Sequence, residues 1–134
     1  MPVDDYLQLI RNTVLGDSTV RDLIDTRFYP EEVETNRNVE FPMATYTVEG
    51  GELISRLPKV SRLGMRIWVH SEVDYDEAYE IYKAIFNVLH IQRLSNSVIK
   101  GCVPEEIGRP ETLFNDVDEK YLVGALWQIR GVES

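Results

Sequence analysis

Between residues 63 and 89 the apolar positions change period. Leu63, Met65, Ile67 and Val69 alternate with Gly64, Arg66, Trp68 and His70, the pattern of a strand with one covered face. Ala78, Ile81, Tyr82, Ile85, Phe86 and Leu89 then recur at helical spacing, the stripe of a helix lying on a sheet. Asp74 and Glu77 have the spacing of a capping box, in which two side chains satisfy free backbone donors of the first turn. The helix is therefore predicted to start near Tyr75.

Upstream, Tyr6, Leu7, Leu9, Ile10, Val14 and Leu15 predict a helix over residues 4–15, with Asp4 and Asp5 at its positive end and Gly16 as its cap. Asp17 or Ser18 can cap a shorter helix through Val20, Leu23 and Ile24, and Arg27-Phe28-Tyr29-Pro30 reads as an extended piece stopped by proline. Residues 31–40 are polar and acidic, the composition of an exposed loop. Residues 43–49 alternate, with Ala44, Tyr46 and Val48 on one face, and Gly50-Gly51 is a hairpin signal. The piece 52–59 contains Pro58 and reads as an extended hairpin arm or an irregular edge.

Downstream, Ser95-Asn96-Ser97 forms a turn, residues 98–103 a short strand ended by Pro104, and Leu113 and Phe114 a further extended piece. The chain closes with Tyr121, Val123, Ala125, Trp127 and Ile129 on one face and Leu122, Gly124, Leu126 and Gln128 on the other, apolar enough for a central strand or an intersubunit contact. The order is ααβββαββ over a single domain, residues 1–134. Strands joined by hairpins predict an α+β fold: a mainly antiparallel or mixed sheet with helices packed on one face. No glycine-rich phosphate loop follows a strand, which disfavours the doubly wound nucleotide-binding class.

Composition narrows the function classes. At 134 residues, 43% hydrophobic and 28% charged, the chain can build its own core without a metal or disulfide staple. Fourteen basic against 23 acidic residues give a net charge of −9, which repels phosphate backbones and anionic lipid. No apolar run is long enough to span a bilayer, and the acidic start MPVDDYLQLI is unlike a secretory signal, so the expected folding compartment is the cytoplasm. The lone Cys102 reads as a small core residue.

Candidate chemistry is sparse. Asp74, Asp76, Glu77 and Glu80 are the densest carboxylate group, but the run lacks the glycine and late glutamate of a calcium loop and already has a capping role. His70 ends a strand and His90 ends a helix, where an imidazolium would meet exposed carbonyls. Neither has metal-ligand spacing, and no G-x-S-x-G element is present. The expectation is no catalytic residue, no metal and no cofactor. Trp68, opposite the apolar row with Arg66 and His70, either packs beneath the chain's own segments or anchors another subunit. Arg66, Trp68, His70, Leu122 and Leu126 are the candidate partner surface.

The order of segments resembles the tail-completion or tail-terminator proteins of long-tailed bacteriophages, the group that includes head-tail joining proteins. The likeness rests on the opening helix ending Leu15-Gly16-Asp17, on Arg27-Phe28-Tyr29-Pro30, and on Phe41-Pro42-Met43-Ala44-Thr45-Tyr46. It continues through Arg66-Ile67-Trp68-Val69-His70-Ser71 into the helix over 78–89, and a closing strand. The resemblance implies a structural virion protein, made and assembled in the host cytoplasm, that forms a ring of six copies at the head-proximal end of the tail. Its partners would be itself, the tail-tube protein and the head connector or stopper, with DNA passing through an acidic lumen that does not hold it. The alternatives are a neck or stopper protein at the portal, or a small ligand-binding or enzymatic domain using His70, His90 or the acidic cluster.

Overall fold

Residues 2–31, 40–56 and 59–133 are described by a computed structural model. The elements run α1 (Val3–Leu15), α2 (Ser18–Ile24), β1 (Phe28–Pro30), β2 (Met43–Arg56), β3 (Lys59–Ser71), α3 (Tyr75–Leu89), β4 (Ile99–Asn115) and β5 (Lys120–Glu133). The five strands form one mixed sheet in the order β1-β2-β3-β5-β4. β1 runs parallel to β2, and every other pairing is antiparallel. The α+β expectation holds.

The change of period between residues 63 and 89 is what builds the core. The odd positions of β3, Leu63 to Val69, face Val123, Ala125, Trp127 and Ile129 of β5 across one register. The α3 stripe of Ala78, Ile81, Tyr82, Ile85 and Leu89 is buried in the same cluster. α1 and α2 add Tyr6, Ile10, Val14, Val20 and Ile24. At about 1.5–3 kcal/mol for each fully buried large side chain, this layer dominates the stability. Cys102 belongs to it, 2% exposed, and burial pushes its thiol up to about 11.

Several local expectations change in the folded chain. Gly50-Gly51 is not a turn: β2 continues to Arg56, which pairs with Lys59, and the register slips between Val48 and Gly51. Gly50 takes φ 106, so the glycines form a bulge that bends a long arm. Positions 57–58, between the paired Arg56 and Lys59, lie outside the described residues. Pro104 does not end a strand. The two short pieces expected near 98–103 and 113–114 are one strand, β4, at the edge of the sheet, where a residue without an N–H is tolerated. Gly16 caps α1 with φ −77, not in the left-handed region, and Asp17 caps α2 by accepting the Val20 N–H at 3.1 Å. Most of the loop expected over 31–40 lies outside the described residues.

The capping box is half as expected. Asp74 Oδ1 accepts the Glu77 N–H at 2.8 Å, but Glu77 does not reach back to the Asp74 backbone. Its Oε1 instead accepts the Ser71 hydroxyl at 2.7 Å, and Ser71 Oγ accepts the N–H groups of Val73 at 3.0 Å and Asp74 at 3.3 Å. The fully buried Ser71 relays the return bond and so ties the end of β3 to the start of α3. Asp74→Ala should cost about 1 kcal/mol in urea unfolding, and Ser71→Ala about 1–3 kcal/mol because it removes a fully buried hydroxyl that bonds Val73, Asp74 and Glu77 at once. A loss from Ser71→Ala smaller than that from Asp74→Ala would contradict the relay.

Candidate functional site

The helices lie on one face of the sheet, and the even positions of β3 point to the other. In the antiparallel register, Arg66 faces Leu126, Trp68 faces Gly124 and His70 faces Leu122. The five residues singled out in the sequence, Arg66, Trp68, His70, Leu122 and Leu126, thus lie together on this second face. Sequence reasoning missed Ile107 and Leu113 of β4, which stand opposite Leu126 and Leu122 and are 41% and 51% exposed. Pro104 hid them: once it was read as a strand end, the alternation of Val103, Glu105 and Ile107 carried no face.

Trp68 lies flat across its neighbour strand. A Cβ on Gly124 would come within 2.5 Å of the indole Cε3 and 2.3 Å of the Ile67 carbonyl oxygen, so only glycine lets the ring settle there. The Arg66 guanidinium sits 5.9 Å from the centre of the Trp68 ring and is flanked by Glu49 at 3.3 Å and Glu111 at 3.9 Å. Carboxylates from β2 and β4 thus hold one cation over a half-buried aromatic. Beside it, Glu49, Glu52, Arg62, Ile107 and Leu126 border an open depression of about 380 Å³.

Toward the other end of this face the surface closes. Met43, Thr45, His70 and Leu122 are all buried. Thr45 Oγ1 and His70 Nε2 are 3.0 Å apart, and burial pulls the imidazole down to about 4, with the Asp118 charge opposing it only weakly. A hydroxyl beside a neutral imidazole has the composition of a nucleophile and base. Exposures of 1% and 5% leave a substrate no access to it. His90 is a structural residue: its ring stacks on Phe86 at 4.4 Å, and its Nδ1 accepts the Glu106 backbone N–H at 3.2 Å. It ties α3 to β4 and does not serve the helix carbonyls as expected.

The acidic group at the start of α3 is divided. Asp74 and Glu77 are occupied by the cap, and among the described residues no cluster of His, Cys, Asp or Glu has metal-holding geometry. Among the described residues no helix is long and apolar enough to cross a membrane. The second face carries aromatic, aliphatic and arginine groups, Trp68, Ile107, Leu113, Leu126 and Arg66, with Glu49 and Glu111 beside them.

No family model matches the sequence, and no curated protein matches it. Solved structures do: 22 chains match. One of them is a chain of the "Virion of native gene transfer agent (GTA) particle", with a TM-score of 0.66 and 11% identity, covering 95% of this chain and 93% of that one. At that identity the likeness is one of fold, and it spans both chains almost end to end.

Two measurements test the second face. Gly124→Ala should destabilise the chain by about 3 kcal/mol, because backbone and indole must both shift, whereas Gly50→Ala, with open space around it, should cost only its positive φ. His70 has a folded value near 4 against 6.5 unfolded, so the unfolded chain takes the proton more readily. Its contribution is complete above pH 6.5 and falls as the pH drops toward 4, by roughly 2–3 kcal/mol. The melting-temperature gap between wild type and His70→Gln should narrow over that window; a constant gap would rule it out.

Proposed function

We propose that this chain is a structural protein of a phage-like virion and acts as a tail terminator: a ring of copies, six in the simplest form, that ends tail-tube growth and joins tail to head. It performs no turnover. The observation that carries this reading is the end-to-end fold likeness to a chain of a gene transfer agent virion. The sheet face opposite α1, α2 and α3, bearing Arg66, Trp68, Leu126, Ile107 and Leu113, supports it, because a sheet face with exposed aliphatic groups suits contact with a protein partner. So does the charge of −9, since a ring traversed by DNA works best when it does not bind phosphate. The partners on this reading are further copies, the tail-tube protein and the head connector, and the site of action is the virion, assembled in the host cytoplasm.

Particles made without this chain should carry tubes of uncontrolled length and no attached heads, and added protein should restore both, as scored by negative-stain microscopy. Ile107→Glu with Leu113→Glu should abolish the rescue while leaving circular dichroism and melting nearly unchanged, because both positions are exposed. Normal tube length in the absence of the chain, with binding to isolated portal, would move it to the neck. Normal particles in every respect would end the virion reading.

A further inference from the structure

At one end of the β4–β5 hairpin, Arg93, Lys100 and Arg130 rim a depression of about 410 Å³ whose floor is Cys102, Val103 and Val132. The Arg93 guanidinium lies over Gly101, 3.2 Å from where a Cβ would be. Among the described residues no carboxylate lies within ion-pairing distance of Arg93, Lys100 or Arg130. Arg62 stands opposite Arg130 in the register, a like-charge pairing that costs stability. Glu52 neutralises Arg62 and leaves Arg130 without a counterion. In a chain of charge −9 three uncompensated cations around an apolar floor are an unmet demand for an acidic partner with an apolar centre.

The other end of the same hairpin supplies that chemistry. The turn 116–119 carries Val117, 91% exposed, between Asp116 and the pair Asp118 and Glu119, all three exposed. Asn115 braces it: its Oδ1 accepts the N–H groups of Val117 at 3.0 Å and Asp118 at 3.3 Å, and its Nδ2 donates to Asp118 at 3.2 Å. The knob is thus preorganised. Val103 pairs with Arg130 and Asn115 with Lys120, ten steps apart on β5 or roughly 33 Å at about 3.3 Å per residue, so a molecule cannot seat its own turn in its own depression.

We infer that the 116–119 turn of one copy docks in the Arg93, Lys100 and Arg130 depression of the next, with Val117 on the apolar floor and the carboxylates on the rim. The occupant is a second copy because one chain carries both the acidic turn with its exposed Val117 and the basic depression with its apolar floor. The contact is head-to-tail, the class that closes into rings, so the inference rests on the ring reading and names the surfaces that would join its copies. Complementary charge sets the register of such a contact and makes it salt-sensitive.

The test mixes two full-length variants, Val117→Cys and Val103→Cys, under mild oxidation, free in solution and on tails. Tyr79→Cys, exposed on α3, replaces Val103→Cys as the control, and the buried Cys102 is common to all. The Val117–Val103 heterodimer should form at least about tenfold faster than the control, and Arg130→Glu should remove that advantage. Asp116→Arg on the Val117→Cys partner should restore it. Equal rates in both settings, or no restoration, would overturn the inference. Rings that form on tails and are indifferent to Arg130→Glu would leave the ring reading standing without this contact. Specific cross-linking by chains that never cap a tail would do the reverse.

Discussion

The sheet has two faces, and the helices among the described residues cover one of them. α1, α2 and α3 bury the odd positions of β3 and their partners on β5, and among the described residues no helix lies over the second face. A bare sheet face of aliphatic groups would drive aggregation. Here it is moderated from within, by an indole laid over Gly124, by Arg66 pinned between Glu49 and Glu111, and by closure around Met43, Thr45, His70 and Leu122. What stays open is the strip with Ile107, Leu113 and Leu126 at its centre.

The edges of the sheet are treated unequally. β4 has Pro104 and Pro110 along it, and the segment before it closes the edge further: Leu94 exchanges backbone bonds with Cys102, and Ile91 donates to the Pro104 carbonyl at 2.8 Å. These devices discourage strand addition. β2, by contrast, is paired by β1 only through Tyr46, and beyond it the arm is largely exposed. Contacts made by this chain are therefore expected from faces, arms and turns more than from the β4 edge. The proposed role, with contacts to further copies and to two unlike partners, needs several distinct surfaces on a small chain, and the described residues offer them.

The hydroxyl–imidazole pair of Thr45 with His70 illustrates why composition alone misleads about activity. Its atoms are within hydrogen-bonding distance, yet the burial that holds the pair together also removes it from any substrate. The same burial makes His70 a determinant of acid stability.

The period change from β3 into α3 was legible because strand and helix repeats differ and the apolar side chains there are large, so the core, the α+β class and the buried Cys102 follow from the chain alone. The shared face of Arg66, Trp68, His70, Leu122 and Leu126 was legible in part, since alternation fixes which residues point together within a strand. Register is another matter. That Trp68 meets Gly124, that Pro104 lies on an edge inside one continuous strand, and that Gly50 bulges where a turn was expected are all decided by pairings across the sheet. Local propensity is set by neighbours along the chain, but the consequences of a proline or a glycine in a strand depend on which strand, if any, lies beside it, and only the folded sheet supplies that neighbour.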